Sequence, residues 1–282
     1  MPHPVIFDRR LLRARLARAA AIGPVTFLLD RVAGDIAERL SAVLRKFDIA
    51  ADLGTPSDAV RRAIAGRVGT IAAVVADEEA LPFRDASLDL VVSALALQFV
   101  NDLPGALIQI RRALKPDGLF LAAMIGGDSL AELRAAFAEA EAEVEGGVSP
   151  RVAPFADLRD LGALLQRAGF ALPVTDVDRI TVRYASPLKL MHDLRRMGAG
   201  NALTERRRTP LRRTTLRRVF EIYAEKFADP DGRVRATFEI VWLSGWAPHA
   251  SQQPPLAPGS AKTRLADALG TREISAGEKA GS

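Results

Sequence analysis

Four short apolar runs, at 47–53, 70–76, 88–94 and 119–125, restrict this chain more than any other feature. Each has the length of a strand and little or no polar face. Segments with helical spacing separate them. A strand that is apolar on both faces must be covered on both faces. The pattern therefore predicts an α/β fold, a parallel sheet with helices on each side. Such sheets bind ligands beyond the carboxyl ends of their strands. Four loops should meet there: 52–58, 77–83, 94–103 and 125–129. The third holds Gln98, Phe99, Asn101 and Asp102, a polar and aromatic mix suited to a pocket wall.

The flanking segments extend this plan. Helices are predicted at 6–20 and 24–46, the second from Phe27, Leu28, Val32, Ile36 and Leu40 at helical spacing. Ser57 and Asp58 are plausible caps for a helix running to about 65. Further helices are predicted at 103–114, closed by a turn at LKPDG, and at 129–145. After residue 150 come a helix (157–168), a strand (174–183), helices at 187–197 and 209–227, and a last strand TFEIVWLSGW. The expected organisation is N-terminal helices (1–46), a core (47–150), and strands with a helical lid that complete the domain (151–250). A disordered tail rich in Pro, Ser, Gly and Ala is expected over 251–282.

Composition removes several chemistries. The chain has no cysteine, and its three histidines are far apart, so no metal site is expected. No G-x-S-x-G elbow is present. No run approaches the roughly 20 apolar residues of a membrane span; a peripheral membrane contact stays open. No secretory leader is read, and a cytoplasmic location is expected. In FDRRLLRARLARAA, Leu11, Leu12 and Leu16 form one stripe of a surface helix whose arginines should face water. TERRRTPLRRTTLRRVF carries seven arginines between Arg206 and Arg218. Without interleaved aromatics it reads as a solvated face or a contact for an acidic protein rather than a nucleic-acid site.

The series ADLG, then VADEEALPFRDASLDLVVSALALQFVNDLPGALIQIRRALKPDGLFLAAMIGG, resembles the S-adenosylmethionine-dependent class I methyltransferases. Within that class, GGVSPRVAPFADLRDLGALLQRAGF, MHDLRRMGAGNAL and YAEKFADPDGRVRATFEI resemble the methyltransferase-like complex I assembly factors, protein-arginine hydroxylases of mitochondria. The malonyl-carrier-protein methyltransferases of biotin synthesis are more distant. The resemblance implies a Rossmann-like sheet and S-adenosylmethionine as cofactor. It implies a protein or small-molecule acceptor, with a respiratory complex I subunit among the candidates. The cofactor would meet Asp52, Gly54, Asp77, Glu78 and Gln98, and the acceptor Phe99 and Asn101. It identifies no catalytic base. Two alternatives remain beside methyl transfer: arginine hydroxylation, and an assembly factor that has lost its cofactor.

Two departures from the family pattern stand out. Its D-L-G-x-G-x-G loop keeps Gly54 but has Pro56 and Asp58 in place of the later glycines. Pro56 removes a backbone donor. Asp58 either caps a helix or adds charge beside the cofactor's carboxylate. Second, between 53 and 70 there is room for one crossover, not two, so a strand–helix unit is expected to be deleted. The strand at 70–76 could then move beside the first strand. Asp77, or else Glu78, would stand where a dinucleotide fold places its ribose-binding acid; otherwise the two acids simply open a solvated loop.

Overall fold

The computed structural model describes residues 5–74, 77–252 and 265–272, in two compact units, Met1–Pro248 and His249–Ser282. In the first unit, α1 (Arg9–Ala21) and α2 (Phe27–Ser41) precede β1 (Phe47–Leu53), α3 (Ala59–Ile64), β2 (Val68–Val74) and β3 (Leu88–Ala94). Next come a single 3-10 turn at Leu97–Phe99, α4 (Leu103–Ala113), β4 (Leu114–Ile125) and α5 (Ala131–Glu145). The unit ends with α6 (Leu158–Arg167), β5 (Ala171–Tyr184), α7 (Pro187–Arg196), α8 (Arg213–Phe227) and β6 (Val234–Trp246). In the second unit, α9 (Leu265–Leu269) is helical. The tail expected to be disordered falls otherwise mostly outside the described residues.

The six strands form one sheet in the order β2-β1-β3-β4-β6-β5. The first four are parallel, as expected, while β6 runs antiparallel to both β4 and β5. The chain therefore returns through β6 between β4 and the edge. β2 pairs with β1 along its whole length and lies beside it, opposite β3. One helix, α3, joins β1 to β2. Among the described residues between β2 and β3 there is no helix. The shortened crossover is anchored by Leu81 and Phe83, which pack on the same core as α4. The Gln109 amide fixes it from both sides, accepting from Leu81 N (3.0 Å) and donating to Glu79 O (2.8 Å).

Alternation along the central strands divides the core. On β4, Leu119, Leu121 and Ala123 face the layer containing α2, α5 and α8, and Phe120, Ala122 and Met124 face α4 and α6. Each large apolar side chain buried this way contributes about 1.5–3 kcal/mol. Short polar caps hold the helix starts: Asp8 accepts from Leu11 N, Asp102 from Gly105 N and Asp157 from Arg159 N. LKPDG differs from its expected role as a turn. Leu114 already pairs with Leu88, and the stretch is the irregular start of β4, with Asp117 at φ 62°.

The arginine-rich segment is largely paired internally. Arg206 meets Asp8, Arg207 meets Glu145, and Arg218 meets Glu143, Glu221 and Glu225. These contacts tie α8 and the preceding loop to α5 and to the start of α1. They leave less free charge for phosphates than the sequence suggests.

Candidate functional site

A cavity of about 500 Å³ opens at the carboxyl ends of β1, β3 and β4, within the range of small-molecule sites. Gly54, Pro56 and Ser57 line it after β1, and Glu78 lines it after β2. Ala96, Gln98 and Phe99 line it after β3, and Ile125 and Ser129 after β4. The proline-bearing turn borders this space and leaves it open.

Gly54 has φ 70°, a torsion that favours glycine. A Cβ there would lie 2.6 Å from Glu78 Oε1 and 2.9 Å from Ala96 Cβ. The site thus uses this glycine both for its torsion and for close packing. Thr55 replaces flexibility with an anchor: its hydroxyl accepts from Ala94 N at 3.2 Å and ties the turn to β3. Asp58 is exposed and pairs with Arg62 at 2.5 Å. It does not line the cavity, and its side chain does not cap α3.

Of the residues singled out from the sequence, Gly54, Glu78, Gln98 and Phe99 come together around the cavity. Gln98 is buried; its Nε2 donates to Leu95 O at 2.7 Å and its Oε1 has no partner. Asp52, Asp77 and Asn101 are not among the lining residues and make other contacts. Asp77 accepts from Arg9 and Arg13, both at 2.9 Å. Burial alone would raise its carboxyl, but the Glu79 amide and these arginines hold it below the usual range. Asn101 is a clamp: its Oδ1 accepts from Ile6 N (2.8 Å) and Phe7 N (2.7 Å), and its Nδ2 donates to Phe7 O (3.2 Å). Phe99 meets Phe7 edge-on, with ring centres 5.5 Å apart.

Asp52 is buried at the end of β1, with Oδ2 accepting from Arg61 Nη1 at 2.8 Å and Oδ1 unpaired. Burial raises its carboxyl above the ordinary 3.8, against the pull of Thr55 and Arg61. The folded state therefore holds this proton more tightly than the unfolded chain does. The contribution of Asp52 is most favourable below that ordinary value and is lost as pH rises through the higher folded value. Asp52→Asn should flatten this part of the stability–pH curve, as measured by urea unfolding between pH 4 and 7. An unchanged slope would count against the assignment.

Sequence reasoning missed the contribution of α1. Its arginines do not all face water. Arg9 bonds Glu78 and Asp77 and approaches Glu79 at 3.6 Å; with Leu12 and Arg15 it also lines the cavity. The spacing held the clue, since residues 9, 12, 16 and 19 share one helix face. Among the described residues, no group of three or more His, Cys, Asp or Glu could hold a metal ion, and no helix is long and apolar enough to cross a membrane.

The sheet, the Gly54 turn and the cavity at the strand ends define a protein of the class I methyltransferase type. The family model described as "Methyltransferase domain" matches residues 33–122. A Bacillus halodurans structure titled as a methyltransferase aligns over 77% of this chain and 99% of its own, with TM-score 0.51 and 16% identity, a likeness of fold. More particularly, the chain belongs to the family of "Arginine-hydroxylase NDUFAF5, mitochondrial". It is 37% identical to the Danio rerio protein of that name over 93% of this chain and 89% of that one. A malonyl-[acyl-carrier protein] O-methyltransferase of Halorhodospira halophila is 43% identical over 61% of this chain and 57% of its own. The mitochondrial designation of the NDUFAF5 relatives overturns the cytoplasmic expectation. S-adenosylmethionine is the cofactor of this methyltransferase-family fold. The Gly54 cradle, the unpaired Gln98 Oε1 and the cavity volume fit such a ligand.

Proposed function

We propose that the cavity binds S-adenosylmethionine and that the protein transfers its methyl group to an acceptor on a protein partner, a respiratory complex I subunit being the first to test. The observation that carries this reading is the open cavity beside a glycine whose Cβ position is already filled by Glu78 and Ala96. Gly54 gives the close backbone approach, Glu78 and Gln98 hold the nucleoside, and Phe99 borders the acceptor. Asp52, Asp77 and Asn101 position these groups through Arg61, Arg9 and the segment at residues 6–7. S-adenosylmethionine supplies the methyl group from its sulfonium. The chain's own part is to align the two reactants and exclude water. No residue is assigned as a base.

Calorimetry with S-adenosylmethionine and S-adenosylhomocysteine tests the reading. A Kd of tens of micromolar or tighter is expected, and Glu78→Gln should weaken it about tenfold, the effect of losing one charge-assisted hydrogen bond. Absence of heat with both compounds would overturn it. A second reading, an assembly factor without cofactor, draws support from one contact: Arg9 already engages the carboxylates of Glu78 and Asp77. That reading expects silent calorimetry together with stable binding of a protein partner.

A further inference from the structure

Among the described residues, six arginines line the cavity: Arg9, Arg15, Arg18, Arg151, Arg195 and Arg196. Glu78 is the one acid among the described lining residues. Two of the six are neutralised, Arg9 by Asp77 and Glu78, and Arg151 by Glu141. The other four make no salt bridge among the described residues. Arg15 is distinct within that group. Its Nη1 is buried and has no hydrogen-bond partner. Gly200 packs directly on it; a Cβ there would lie 2.9 Å from that nitrogen. Gly200 has no positive φ, and its lack of a side chain leaves room for the guanidinium in this position. Burial, with Arg206 and Arg18 near, lowers the Arg15 pKa from its ordinary value, and Asp8 offsets this only in part. A buried donor left unpaired is rare and costly, and a guanidinium fork matches a carboxylate or a phosphate with two parallel bonds; of these, the proposed cofactor carries a carboxylate.

The geometry points to Arg15 as the receptor for a carboxylate bound inside the cavity. The inference rests on the reading of this cavity as a ligand site. Two carboxylates are available: the one on the methionyl part of the cofactor, and one on the acceptor. The surplus of positive charge favours an anionic acceptor and disfavours a cationic one such as an arginine side chain.

The test compares wild type with Arg15→Met and Arg15→Lys, using S-adenosylmethionine, its decarboxylated analogue, and glutarate as a simple carboxylate probe. Wild type is expected to bind at least one carboxylate-bearing ligand about 10- to 100-fold more tightly than Arg15→Met does. Arg15→Lys should fall between them, because it keeps the charge and loses the fork. If wild type prefers S-adenosylmethionine to its decarboxylated form and Arg15→Met does not, the carboxylate is the cofactor's. If both proteins bind these two alike but only wild type binds glutarate, it is the acceptor's. If wild type binds glutarate through Arg15 and ignores S-adenosylmethionine, the proposed cofactor fails and this inference stands. It is overturned if Arg15→Met matches wild type with every ligand, loses both nucleoside ligands equally, or if wild type binds no carboxylate. Thermal unfolding without ligand guards against misfolding: Arg15→Met should melt at or above the wild-type temperature. Should it fail to fold, Arg15→Lys carries the same comparison.

Discussion

Gly54→Ala should abolish measurable S-adenosylmethionine binding and destabilise the domain by about 2–6 kcal/mol. Part of that cost is a residue with a side chain held at φ 70°, about 1–3 kcal/mol. The rest is overpacking, since the new methyl group would lie 2.6 Å from Glu78 Oε1 and 2.9 Å from Ala96 Cβ, about 1–3 kcal/mol more. To make room, the flexible Glu78 carboxylate must move, and the contact with Ala96 Cβ can be relieved only by a shift of the backbone. Chemical denaturation and calorimetry on the same preparation would check both effects. Wild-type affinity in Gly54→Ala would show that the turn does not approach the ligand.

Glu141→Gln should cost about 3–5 kcal/mol, the usual penalty for removing one partner of a buried ion pair. Glu141 is fully buried on α5. It accepts from Ser149 N (2.7 Å) and Ser149 Oγ, and from Arg151 Nε (2.7 Å) and Nη2. Glutamine can accept some of these bonds but cannot balance the guanidinium, which lines the cavity and lies over the Phe137 ring. Urea unfolding should show a lower midpoint with an unchanged slope. Replacing both partners with apolar residues of similar volume should recover most of the loss. A single variant as stable as wild type would mean that water already compensates the pair.

The sheet was legible because its strands are apolar on both faces. The runs at 47–53 and 88–94 match β1 and β3 end for end. β4 begins earlier than its apolar run, because Leu114 pairs with Leu88 and the polar residues after it are held by tertiary contacts, Lys115 by Asp89 and Asp117 N by Ala247 O. The place of β2 beside β1 followed from chain length, since too few residues remain for a second crossover. Of the residues singled out from the sequence for the proposed site, Gly54, Gln98 and Phe99 do line the cavity, from the turns that follow β1 and β3. Asp77 and Asn101 do not line it. Their partners are Arg9, Arg13 and the backbone of residues 6–7, 64 to 95 positions away. No periodicity reports contacts of that range. The same blindness hid Arg15, whose neighbour Gly200 lies far along the chain.

The fastening of the first residues also sets a timetable. Phe7 bridges Leu203, Asp8 N donates to Ala202 O, and Arg206 holds the Asp8 carboxylate. None of those docking partners exists until some two hundred codons have been read. At roughly 5–20 residues per second, that is roughly 10–40 s of translation. Until then α1 has only the Asn101 clamp and the Asp77 and Glu78 carboxylates to hold it, so this wall of the cavity is fastened in two stages, the second after β1 to β4 can already pair.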